Sequence, residues 1–160
     1  LGPESEFFLI FFNDFAIPMP SPFPVQAAEQ PKLKYLYWMK DLKAEGNTEP
    51  RLALQHALRL QPDIVYFLTD GSFTYRVQQD LLSLPSSKTE IHTFAFDAPF
   101  TDNMRRAYNR LLDDDRTGAR ETAGSRSDYR KLVETFSSHN FMKQMAKRHG
   151  GRFRLIPYDG

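Results

Sequence analysis

Two oxygen-bearing side chains stand where an α/β chain would use them, Thr48 and Asp70. Asp70 follows the apolar run Ile64-Val65-Tyr66-Phe67-Leu68 with only Thr69 between them. A run of that length, β-branched and aromatic and bounded by Gln61-Pro62-Asp63 on one side and Gly71 on the other, reads as a strand. Thr48 lies in Gly46-Asn47-Thr48-Glu49-Pro50, a loop opening onto a helix. Open α/β sheets bind ligands beyond the carboxyl ends of their strands, so both residues are candidates for one rim. A hydroxyl and a carboxylate are hard oxygen donors, suited to Mg²⁺, Mn²⁺ or Ca²⁺ and poor for zinc alone. Each also has a plainer explanation. Thr48 suits a helix N-cap, with Glu49 at the positive helix end and Pro50 in the first turn, and Asp70-Gly71 suits a turn. Their joint placement carries the cation reading.

Other chemistries find less support. The chain has no Gly-x-x-x-x-Gly-Lys-Ser/Thr loop, no Gly-x-Gly-x-x-Gly and no Gly-x-Ser-x-Gly. Its histidines, His56, His92, His139 and His149, are scattered without zinc-like pairing. His92 falls within a strand and is expected to pack there; His149 ends a helix, where a cation interacts well with the negative end. The best enzymatic alternative is Mg²⁺-dependent phosphoryl transfer with Asp70 as nucleophile. Such sites cluster further carboxylates, and Thr69, Gly71 and Ser72 supply none. A non-catalytic role ranks above it.

The elements that would position these residues follow from periodicity. Phe7 to Asn13 is a continuous apolar run, suited to a strand covered on both faces. Ile17 to Met19 suits a short edge strand, and the four prolines from Pro18 to Pro24 require an extended loop. Apolar residues recur at helical spacing from Val25 to Lys43, with a break expected at Pro31. A helix is predicted from Arg51 to about Leu60, another from Tyr75 to Leu84, and a strand over Ile91 to Phe96. A helix from Phe141 to His149 should end in a left-handed Gly150 or Gly151, followed by a strand from Arg152 to Ile156. Between Asp97 and His139 two short helices are predicted, 103–113 and 128–136, joined by a polar connector (114–127) expected to be mobile. Strands alternating with helices imply right-handed crossovers and a parallel sheet.

The gross numbers agree with one globular domain: 160 residues, 41% hydrophobic and 26% charged. Lys and Arg number 21 against 20 Asp and Glu, which gives no support to nucleic acid or an anionic membrane as partner. Cysteine is absent, which excludes disulfides and thiolate metal sites and leaves the compartment open. No apolar run approaches the roughly 18 residues that span a bilayer, and no signal-peptide pattern is present.

Taken in order, several segments resemble a von Willebrand factor A-type (VWA) domain of the bacterial kind. They are Phe7-Phe8-Leu9-Ile10-Phe11-Phe12-Asn13-Asp14, then Gly46 to Leu54, then Pro62 to Gly71. Ile91 to Phe96 follows, then Met145-Ala146 through Gly150-Gly151 with Phe153-Arg154. The resemblance implies a Rossmann-like, open, mostly parallel sheet with helices on both faces. It also implies a metal-ion-dependent adhesion site, in which a divalent cation keeps an open position for a carboxylate of a protein partner. The family's loop threonine maps onto Thr48 and its aspartate after the fourth strand onto Asp70. Residues 97–139 look like an insertion.

The chain departs from the family in lacking any Asp-x-Ser-x-Ser, and no apolar strand precedes Phe7. With Leu1 in place of a methionine, residues 1–160 read as a single VWA-like domain truncated at its N-terminus. Its first, central strand is then missing, leaving two strand edges facing an apolar slot. Thr48 and Asp70 alone offer few ligands to an ion that dehydrates reluctantly, so cation binding is expected to be weak or absent without the upstream motif. A metal-free interaction scaffold with a decayed site is the main alternative, and an upstream membrane anchor is compatible with the resemblance.

Overall fold

In a computed structural model of the chain, residues 1–43, 46, 48–69, 73–85, 88–96 and 100–157 are described. The chain is mixed α/β and divides into two compact units, Leu1–Gln61 and Pro62–Gly160.

In the first unit the aromatic run does not form one strand. It splits into β1 (Glu6–Phe7), antiparallel to β4 (Val25–Gln26), and β2 (Ile10–Phe12), antiparallel to β3 (Ala16–Pro18). The parallel pairing expected for this run is therefore replaced by two short antiparallel ladders. The physical cause is local. Asn13 Oδ1 accepts from the Phe15 amide at 2.9 Å and closes a tight turn, which returns the chain against β2 before any crossover helix intervenes. The run still meets helices through alternate residues. Phe7 and Phe11 contact Tyr35 and Trp38 of α1 (Glu29–Lys40), while Phe8 contacts His56 of α2 (Arg51–Arg59). Pro31 does not break α1. It occupies the first turn, where no intrahelical donor is required of it. Met19, Tyr35, Pro50 and Leu54 are buried and form this unit's interior.

The second unit holds a three-stranded parallel sheet in the order β5 (Ile64–Thr69), β6 (Glu90–Phe96), β7 (Phe153–Ile156). Its register sets Tyr66 beside His92, Leu68 beside Phe94, and Phe94 beside Arg154. Between β5 and β6 lies α3 (Tyr75–Leu82), capped by Thr74. Between β6 and β7 lie α4 (Asp102–Leu112), α5 (Arg116–Thr122) and α6 (Arg126–Arg148).

Strands laid down in one direction by right-handed crossovers send each connecting helix to the same face. One face is covered by α6: Phe67 stacks on Phe73, which meets Phe141 of α6, and the Thr93 hydroxyl donates to the Met142 carbonyl at 3.0 Å. The opposite face is open, with Ile64 at 43%, Tyr66 at 56% and Leu68 at 47% exposure. The resemblance implies helices on both faces of the sheet; in this unit, among the described residues, helices cover one.

The polar connector is a second correction. Residues 114–127 contain α5, capped by Asp115, with Gly118, Ala119 and Ala123 buried. Ala119 and Ala123 pack with Met104, Ala107, Leu111 and Leu132 into a satellite core. Alanines four apart make a narrow buried stripe that a hydropathy reading passes over. The short helix expected over 128–136 and the later one over 141–149 are one continuous α6. It ends in a Schellman motif: Gly150, with φ +72°, donates to the Lys147 carbonyl, and Gly151 donates to that of Ala146 at 2.9 Å.

Candidate functional site

Thr48 is half-buried in the segment leading into α2. The helix does not use it as a cap. Its N-cap position is Pro50, without a side-chain cap, and the first free donor, Arg51 N–H, is met instead by Glu49 Oε1 at 3.3 Å. Proline fixes φ near the helical value and shortens the run-in, so the capping role expected of Thr48 passes to its neighbour. The segment is tied to the β2–β3 turn, because the Glu49 amide donates to the Asn13 carbonyl at 2.9 Å. On the same turn, Asp14 lies against Gly46, whose φ is +93°. A Cβ at Gly46 would come within 2.6 Å of Asp14 Oδ2, so both conformation and space call for glycine. Asp14, a carboxylate set against Gly46, was not singled out from the sequence as a site residue.

Asp70 lies outside the described residues. Its neighbour Thr69 is buried and ends β5, the strand expected to deliver it. Thr48 belongs to the first unit and Thr69 to the second. Among the described residues no group of three or more His, Cys, Asp or Glu is gathered as a metal site, and no helix is long and apolar enough to cross a membrane.

The histidines resolve individually. The His92 ring stacks on Tyr66 at 5.4 Å, and its Nδ1 accepts from the Arg152 amide at 3.2 Å. The proton therefore sits on Nε2, which is 3.0 Å from Glu90 Oε1. His139, buried in α6, pairs its Nδ1 with the Tyr108 hydroxyl at 2.7 Å. His149 is 6% exposed, and its Nδ1 finds no hydrogen-bond partner among the described residues. Burial, and next Arg148, lower its pKa below the usual 6.5. The ring is then neutral at pH 7, so the favourable charge on the helix end expected of His149 is not supplied by its side chain. Asp115 is held below the usual carboxylate range by the Gly118 amide and then by the Arg110 guanidinium at 2.8 Å.

One arrangement had no counterpart in the sequence reading. Gln78 of α3, 7% exposed, donates to the Phe73 carbonyl at 3.2 Å and accepts from Ser137 of α6 at 3.4 Å. This tie forms the floor of a groove of about 510 Å³ between the two helices. Residues 59 apart in sequence make it, and no local pattern announces such a pairing. Compared with protein-family models and with curated proteins, the sequence matches none.

Proposed function

We propose that the chain is a non-catalytic, protein-binding domain of the VWA type, with an open Rossmann-like sheet. In this reading a divalent cation, Mg²⁺ or Mn²⁺, is shared by the Thr48 hydroxyl and the Asp70 carboxylate and is incompletely ligated by this chain. A partner's carboxylate fills its open position. The observation that carries the reading is that half-buried Thr48 does not cap α2, whose N-cap position is Pro50. The reading is supported by β5, a parallel strand that ends at Thr69, one residue before Asp70 in the sequence, since α/β ligand sites lie beyond such strand ends.

Calorimetric titration with Mn²⁺ tests it. Two protein ligands to an ion otherwise held by water give dissociation constants on the order of millimolar or weaker. The expected result is a weak heat lost in both Asp70→Ala and Thr48→Val. Heat that survives both substitutions would place the ion elsewhere. The absence of Asp-x-Ser-x-Ser favours a second reading, a metal-free interaction scaffold, which predicts no heat in the unsubstituted chain.

A further inference from the structure

We infer that α1 docks on an anionic lipid surface, lying in the interface with its outward side against the headgroups. This surface is separate from the cation site.

The helix is apolar on two opposite sides. Tyr35 and Trp38 turn inward, where they meet Phe7 and Phe11 edge-on, and Tyr35 is buried. Leu33, Leu36 and Tyr37, three and four residues apart, share the other side and stay 40%, 48% and 64% exposed. One apolar stripe is enough to join a helix to a core; the second is left to solvent. Leu33 and Leu36 also line an apolar groove of about 270 Å³ with Leu1, Leu9 and Met39, and the only charged side chain at its rim is Lys32.

The charges around the stripe specify what it meets. The whole chain is nearly balanced, 21 basic residues against 20 acidic, but α1 carries Lys32, Lys34 and Lys40 against one acid, Glu29 at its start. Lys32 and Lys34 precede and follow Leu33, so they stand ~100° to either side of it, along both margins of the stripe. Lys40, three residues after Tyr37, closes its C-terminal end. None of the three makes an ion pair among the described residues. Lys34 and Lys40 lie over the Tyr35 and Tyr37 rings at 5.1 and 5.2 Å, and Lys32 donates to the Leu1 carbonyl at 3.0 Å. Stems laid along apolar surface with ammonium groups at its margins let lysines reach lipid phosphates while leucines enter the acyl boundary. Tyr37 adds a ring of the kind that sits at headgroup depth. A protein groove enclosing this helix would have to pair or desolvate the lysines; anionic headgroups attract them without burying them. The twelve-residue helix is ~18 Å long, too short to span a bilayer, so it lies on the surface.

The test is co-sedimentation of the 160-residue chain with vesicles, in EDTA to silence the cation site. Binding is expected to equal parts of phosphatidylglycerol and phosphatidylcholine and not to phosphatidylcholine alone, and to be lost at ~1 M salt, where the Debye length is about 3 Å. Lys34→Gln combined with Lys40→Gln should weaken it roughly 30-fold. The same charge loss in the other unit, Arg116→Gln with Arg120→Gln, should leave it unchanged. All four residues are exposed, and a thermal melt verifies that both variants stay folded. Because the chain has no cysteine, Tyr37→Cys and, separately, Arg120→Cys each take one environment-sensitive fluorophore. The label at position 37 should shift to the blue on the anionic vesicles, and the label at 120 should not. No binding, equal binding to phosphatidylcholine alone, equal weakening by the two charge variants, or a blue shift at 120 without one at 37 would each overturn the proposal. So would an acidic amphipathic helical peptide that shifts the label at 37 where vesicles do not, since that result assigns the stripe to a protein.

Discussion

At the scale of single residues, the sequence showed which side chains carry chemistry more clearly than it showed their environments. Thr48 was identifiable as an oxygen donor next to a helix start, but its release from capping depends on Pro50 taking the N-cap position, which propensity alone does not decide. His149 was identifiable as a helix-end residue, whereas its neutrality depends on its burial there, which the sequence does not announce. A histidine whose folded pKa is depressed favours the fold in its neutral form, so its contribution is full above the unfolded pKa near 6.5. That contribution is lost as pH falls below 6.5 toward the depressed folded value. The melting temperature is therefore expected to drop on acidification from pH 7.5 to 5, and the drop should be smaller in His149→Leu; an identical profile in the variant would contradict the assignment. Gln61 offers a test of the opposite sign. It follows α2 with φ +53°, a left-handed conformation costly to a residue with a Cβ. Gln61→Gly should stabilise the chain by about 0.5–1 kcal/mol, read from the urea midpoint.

At the scale of elements, what was legible is what periodicity encodes. The spans of α2, α3, β5, β6 and β7 emerge close to their expected limits, because each is apolar at its own period and bounded by Pro, Gly or a cap. Two things were not legible. The Phe7–Asn13 run carries enough apolar character for a strand but no mark of which neighbour it pairs with; the turn at Asn13 decides that. The stretch around α5 buries alanine and glycine, which barely register as hydrophobic. Leu132 is fully buried in the satellite core that α4 and α5 share with α6, so Leu132→Ala should cost about 2–5 kcal/mol in denaturant unfolding. A mobile connector would instead leave the midpoint unmoved. Ser125 caps α6, accepting from the Asp128 amide at 3.0 Å and donating to its carboxylate at 2.7 Å. Ser125→Ala should therefore cost about 1 kcal/mol, lowering the melting temperature by about 2–4 °C.

At the scale of the whole molecule, the reading rests on order. The proposed resemblance is one of segment order along the sequence; the second unit supplies three parallel strands in chain order, while the first unit holds two short antiparallel pairs. The resemblance therefore makes its claim about a pair of residues far apart in the chain, each at the end of an element. The most direct measurement is paramagnetic relaxation in the ¹⁵N-labelled chain titrated with Mn²⁺. A shared ion predicts that the amide signals of Thr48 and Asp70 broaden first and together, at the same Mn²⁺ concentration. Broadening at one with the other untouched, or at neither while signals elsewhere broaden, would contradict it.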